Sequence, residues 1–152
     1  MARSQPQRRA DYPHLQAITT RWMDNDAYGH VNNVVYYSYF DTVVNTFLIR
    51  TGALDVQNSP VVGYTVENGC QYFAPLTYPE TLTAGLRVAN VGRTSVRYEI
   101  AIFGEGMDTA AAQGYFVHVY VDRRSQRPVE LPPALRDALE PLRTATAAEE
   151  ES

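Results

Sequence analysis

Val34-Val35-Tyr36-Tyr37-Ser38-Tyr39-Phe40-Asp41-Thr42-Val43-Val44-Asn45-Thr46-Phe47-Leu48-Ile49-Arg50 is the run on which the fold turns. Its polar residues Ser38, Asp41, Thr42 and Asn45 recur at steps of three and four, while Tyr36, Phe40, Val43 and Phe47 keep the same steps on another face. Tyr37, Val44 and Leu48 widen the apolar side. The spacing predicts a helix of about five turns that is mostly buried and keeps one narrow wet stripe. Gly52 is placed to end it, because glycine takes the left-handed conformation that closes a helix at little cost. At the other end, Asn32 or Asn33 can cap it, a short side-chain oxygen accepting an orphan N–H of the first turn.

Outward from this run the period drops to two. Val62, Tyr64, Val66, Cys70 and Tyr72 alternate with more polar neighbours, as do Leu82, Ala84, Leu86 and Val88, and then Val96, Tyr98, Ile100 and Ile102. These read as strands with one buried face. Residues 115 to 121 are apolar on both faces apart from His118, and residues 15 to 22 read as a first strand ahead of the helix. Short polar turns such as residues 90 to 93 join the runs like hairpin connections. Residues 132 to 143 add a short terminal helix, with Pro near its first turn and Arg near its last. One long apolar helix and four or five antiparallel strands bury everything only if the sheet wraps around the helix. The expectation is an α+β fold built on a single central helix.

At 152 residues the chain fits one domain. Residues 1 to 13 read as a flexible basic arm, 14 to 144 as the domain, and 145 to 152, with Glu149, Glu150 and Glu151, as a disordered acidic tail. Thirteen Lys and Arg against seventeen Asp and Glu leave a net charge of −4, so the balance predicts neither a nucleic-acid partner nor an anionic membrane surface. Cys70 stands alone, which excludes an internal disulfide framework, and residues 1 to 14 have no apolar core of the secretory kind. A cytoplasmic location is the expectation. The longest apolar runs fall well short of the roughly 20 residues that cross a bilayer, so no membrane span is expected.

Chemistry concentrates just ahead of the helix, in Arg21-Trp22-Met23-Asp24-Asn25-Asp26-Ala27-Tyr28-Gly29-His30-Val31-Asn32-Asn33. A carboxylate there can act as nucleophile or general base on an electrophilic carbon that helix N-terminal N–H groups polarise. Composition alone also allows a plainer role, since Asp, Asn and Gly before a helix are common turn and cap residues. The order of the residues adds information. Asp24, Asp26 and Gly29, at the spacing Asp, any residue, Asp, two residues, Gly, lead into Tyr36, Tyr37, Tyr39 and Phe40. This resembles the active-site motif of the hotdog-fold acyl-CoA thioesterases of the 4-hydroxybenzoyl-CoA thioesterase type. The resemblance extends to the Tyr72-Phe73-Ala74-Pro75 strand end and covers residues 15 to 128.

The resemblance implies a hotdog fold that hydrolyses an acyl-CoA thioester to a carboxylic acid and coenzyme A, with no metal and no cofactor. It makes Asp26 the catalytic carboxylate, and Asp24 the residue that holds the loop by accepting backbone hydrogen bonds. The carbonyl-polarising N–H falls near Asn33, and His30 either bonds the substrate carbonyl or orients water, or is satisfied by loop backbone. Asp24, Tyr28, Gly29, Asn32, Tyr36 and Arg93 join the substrate-contacting set. Arg93, Arg123, Arg124 and Arg127 lie in turns able to form a basic rim for the coenzyme A phosphates. The resemblance also implies a homodimer or homotetramer with sheets paired edge to edge.

Other chemistries lack their motifs: no Gly-x-Ser-x-Gly elbow, no Gly-rich phosphate loop, no His-Glu-x-x-His pair, and no metal spacing among His14, His30 and His118. Two rival functions share the fold. One is an enoyl-thioester hydratase or dehydratase, which would use Asp26 with His30; the other is an acyl-CoA-binding module without catalysis.

Overall fold

In the computed structural model, which describes residues 5–144, the long apolar run forms helix α1 (Val35–Arg50). The strands are β1 (His14–Thr19), β2 (Val61–Tyr72), β3 (Thr81–Val91), β4 (Ser95–Phe103) and β5 (Ala112–Asp122). They form one antiparallel sheet in the order β1-β3-β4-β5-β2, as a hotdog-type fold requires. A short helix α2 (Pro133–Leu139) runs into a 3-10 turn over Glu140–Leu142.

Helix α1 buries Tyr36, Tyr39, Phe40, Val43, Val44 and Leu48 against Leu82, Leu86, Val88, Tyr98, Ile100 and Ile102. Each such side chain, fully buried, contributes about 1.5–3 kcal/mol. Phe40 approaches β5 at Gly114, where an added Cβ would lie 2.6 Å from its ring. The helix stops at Gly52, whose φ of +79° is the left-handed turn expected of it. Its start differs from expectation: Val34 is the cap residue and makes no side-chain cap bond. Asn32 Oδ1 instead accepts the Val34 N–H at 3.2 Å, an Asx turn that delivers the chain into the helix.

Strand β2 corrects the expected pattern. It lies at the sheet edge with β5 as its one neighbour, and Tyr64, Val66 and Tyr72 are exposed. The register slips between Thr65 and Glu67, so one extra residue reverses which side chains face α1. The described part of the N-terminal segment lies against the sheet. Arg8 bridges to Thr109, and the Arg9 guanidinium bonds Met107 O, Thr83 Oγ1 and Gly104 O. Tyr12 is buried with Phe103 and Ala110 on the face of the sheet away from α1. The segment docks because Gly85 leaves room: a Cβ there would lie 2.7 Å from the Tyr12 ring. The acidic tail, residues 145 to 152, lies outside the described residues. Among those described, no helix is long and apolar enough to cross a membrane.

Candidate active site

The loop between β1 and α1 folds back on itself and is pinned to the segment before β3. Asn25 and Val31 bridge, Asp26 N–H donates to His30 O at 2.9 Å, and Val31 N–H donates to Leu76 O at 2.8 Å. Thr77 Oγ1 donates to Gly29 O at 2.8 Å, and the Asn25 side chain spans Thr77 and the Tyr78 N–H. Gly29 sits at φ +82°, so a side chain there would be strained although space is open.

Two residues apart, Asp24 and Asp26 have opposite environments. Asp24 is 1% exposed, and its carboxylate accepts from the Arg21 N–H at 2.9 Å, the Arg21 guanidinium at 3.1 Å and Tyr39 OH at 2.7 Å. Its carbonyl takes the Asn32 N–H at 2.8 Å. Burial pushes its carboxyl up, but the bonds from Tyr39 and Arg21 together outweigh burial and hold it below the ordinary value of 3.8. Such a group, buried beneath the loop, ties Arg21 and Tyr39 together through its hydrogen bonds. Asp26 is half-buried, and one of its oxygens accepts the Tyr28 N–H at 2.9 Å. Its other oxygen has no partner among the described residues.

The start of α1 carries the complementary feature. Val34 N–H goes to Asn32 Oδ1 and Val35 N–H to Asn32 O, but the Asn33 N–H meets no acceptor among the described residues. Asn33 O accepts from Tyr72 OH at 3.2 Å and from the Tyr36 N–H at 3.4 Å, which ties the start of the helix to β2. An open cavity of 310 Å³ lies against it, lined by His30, Val31, Asn33, Tyr36, Tyr72 and the 73–75 segment. Tyr36 is buried in its wall, edge-on to Tyr72 at 5.1 Å, with its hydroxyl pushed up to about 12 by burial. His30 is exposed and its ring makes no hydrogen bond among the described residues.

The structure therefore brings His30, Asn33 and Tyr36 to one cavity, with Asp26 on the adjoining turn. Tyr28 is 88% exposed and points its apolar area outward with Trp22 and Met23. Arg93 is not brought in: it pairs with Glu130 at 2.9 Å, and the adjacent Gly92 O takes the Arg136 guanidinium of α2. Arg123 is likewise committed, its guanidinium bonding Ser59 O, Gln57 O and Val56 O. Arg21, Tyr39, Tyr72 and Thr77 hold the site together and were not foreseen as such. Each acts through a contact between segments far apart in sequence, and only the Tyr-rich character of α1 hinted at Tyr39.

An antiparallel sheet on one long helix, with an acidic loop and a free N–H at the helix start, defines a class, and the comparisons agree with it. Residues 20–139 match the model of the Thioesterase-like superfamily, and the chain belongs to that family. It is 54% identical to the PA5185 protein of Pseudomonas aeruginosa strain PAO1, covering 94% of this chain and 100% of that one with a TM-score of 0.89. It is 29% identical over 137 residues to the L-carnitine dehydrogenase/betainyl-CoA thioesterase of Agrobacterium fabrum, covering 88% of this chain. The chain spans 28% of that relative's length. The DHNA-CoA thioesterase of Staphylococcus aureus shares the fold at 19% identity, with a TM-score of 0.73 over 82% of this chain and 86% of that one.

Proposed function

We propose that this protein is an acyl-CoA thioesterase, which adds water across the thioester to give a carboxylic acid and free coenzyme A. Family membership supports thioester hydrolysis, and the betainyl-CoA thioesterase relative supports coenzyme A as the thiol carrier. The observation that carries the residue assignment is the unpartnered N–H of Asn33, a residue that lines the open cavity at the start of α1, with Asp26 and its free oxygen on the adjoining turn.

A thioester carbonyl seated on that N–H gains a donor and the positive end of the helix dipole, both fixed before reaction begins. Asp26 then either bonds the carbonyl carbon, expelling the thiolate and leaving a mixed anhydride for water to open, or takes the proton of the attacking water. In both routes the C–S bond breaks and the thiolate ends protonated as coenzyme A. Asp24 stays ionised beneath the loop and fixes where Asp26 stands. His30, at the mouth, contacts the thioester or the water, with Tyr28, Gly29 and Asn32 around the entrance. The functional unit is at least a homodimer, formed through the open edge of β2, whose unpaired backbone groups and exposed Tyr64, Val66 and Tyr72 suit a second copy.

Thiol release from a panel of acyl-CoA substrates, by wild type and Asp26→Asn, tests the reading. Loss of roughly 10²–10⁴ in kcat/KM is expected, and near wild-type turnover by the variant rejects it. Loss of an enoyl double bond without thiol release would select the hydratase instead.

A further inference from the structure

Tyr36 is set in the wall of the cavity at the start of α1 and is 3% exposed. Its ring is edge-on to Tyr72 at 5.1 Å and to Tyr39 at 6.1 Å, and its N–H donates to Asn33 O at 3.4 Å. A tyrosine buried to this degree ordinarily finds a partner for its hydroxyl. This one has none among the described residues. Nor is the oxygen sealed: among the described residues, the buried side-chain atoms without a partner are on His14, Gln16, His118 and Thr144. The Tyr36 oxygen therefore touches open space, and the cavity that Tyr36 lines is the one at the helix start.

Helix geometry brings that oxygen toward Asn33. Residues three apart share a face, about 4.5 Å apart along the axis, and a helical tyrosine leans toward the amino end. Tyr36 thus covers the turn that contains Asn33, whose own N–H meets no acceptor among the described residues. Tyr72 ties the two together, with its ring against Tyr36 and its hydroxyl on Asn33 O at 3.2 Å.

Burial raises the Tyr36 hydroxyl to about 12, and the nearby Cys70 and Glu80 add to the rise. The direction decides what the group can do. It keeps its proton at ordinary pH, so it is a donor. It is a poor source of a proton for the departing thiolate, because a thiol, at about 8.5, is the stronger acid. A carbonyl oxygen has two lone pairs and takes on negative charge when its carbon is attacked, and a single backbone N–H leaves one of those pairs unmet.

We propose that the Tyr36 hydroxyl is the second donor to the thioester carbonyl oxygen, and that with the Asn33 N–H it completes a two-donor site for the charge that develops there. This rests on the thioesterase reading and deepens it. Attack by Asp26, or by the water it deprotonates, moves the C=O electron pair onto the oxygen, and the pair returns as the C–S bond breaks. Tyr36 holds its proton throughout and strengthens its bond while the charge is present.

Tyr36→Phe removes the oxygen and keeps both ring contacts. Thiol release is measured on acetyl-, hexanoyl-, benzoyl- and phenylacetyl-CoA. The expected result is kcat lower by roughly 10²-fold, with KM within about twofold, on each substrate that wild type cleaves. The urea midpoint stays level or rises, because the hydroxyl has no bond to the described residues that the variant could lose. A second measurement is independent of turnover. A ketone analogue of the fastest substrate, with methylene in place of the thioester sulfur and carbon-13 at the carbonyl, is bound to both proteins. Its infrared carbonyl band is expected at lower frequency in wild type than in Tyr36→Phe, since each donated hydrogen bond weakens the C=O bond.

Unchanged kcat in the variant overturns the proposal, as does an equal carbonyl frequency in the two proteins. So does a rise in KM with kcat held, for the hydroxyl would then bind substrate and transition state alike. A lower urea midpoint with the carbonyl band unmoved makes Tyr36 a structural residue and also overturns it. These results leave the thioesterase reading standing. A wild type that releases no thiol from any of the four substrates defeats that reading and the second donor with it.

Discussion

The two ends of α1 handle unpaired polar groups in opposite ways. At the amino end Asn33, with its free N–H, borders an open cavity, and Asp26 keeps a free oxygen on the adjoining turn, half-buried. At the carboxyl end the unpaired group, His118 Nε2, is buried in an aromatic cluster beside a more enclosed apolar cavity. The first arrangement suits charge that develops during a reaction; the second keeps a ring nitrogen out of contact with solvent. The contrast repeats on a smaller scale in the loop, where Asp24 is saturated with donors and Asp26 is left available.

Substitutions that exchange these conditions break the comparison most sharply. Asp26→Asn has the largest effect, on rate alone: kcat/KM falls roughly 10²–10⁴ with an unchanged urea midpoint, because the amide oxygen still accepts the Tyr28 N–H. Asp24→Ala does the reverse. It leaves the Tyr39 hydroxyl buried without an acceptor and frees Arg21, lowering unfolding free energy by about 2–3 kcal/mol in urea titration, and activity falls only as the loop loosens.

A smaller effect, and a pH signature, come from Tyr39→Phe. The folded carboxyl of Asp24 lies below 3.8, so its contribution to stability is present above that pH and is lost as pH falls through the folded value. Removing the Tyr39 donor costs about 1 kcal/mol near neutrality. It also moves the acid loss upward toward 3.8, read from urea midpoints between neutral and acid pH. The smallest change is expected of Tyr72→Phe, which removes the 3.2 Å bond to the Asn33 carbonyl but leaves it the Tyr36 N–H, and lowers kcat a few-fold, with KM little altered.

Much of this was legible in the sequence because it follows local rules. The 3.6-residue rhythm of 34 to 50 and the glycine after it gave α1, and the two-residue rhythm gave β3 and β4 with their buried face. The order Asp24, Asp26, Gly29 marked the loop, and the structure separates the two carboxylates by environment. What escaped depends on contacts between distant segments. The extra residue at Val66 shifts β2 out of phase, which no even alternation foretells. Arg9 and Tyr12 look like a solvated arm until Gly85 and Phe103 supply a surface for them. Arg93 and Arg123 read as free cations because their partners, Glu130 and the carbonyls of 56 to 59, lie 37 to 67 residues away. Tyr72 fits one position in an alternating strand, whereas its hydroxyl reaches the helix start.

The central claim, that the amino end of α1 is where the thioester reacts, is tested most directly by a crystal structure with an acyl-CoA analogue in which a methylene replaces the thioester sulfur. The expected complex has the ketone oxygen about 3 Å from Asn33 N, with the free Asp26 oxygen facing the carbonyl carbon. A bound analogue whose ketone lies elsewhere, leaving the Asn33 N–H unengaged, would contradict it.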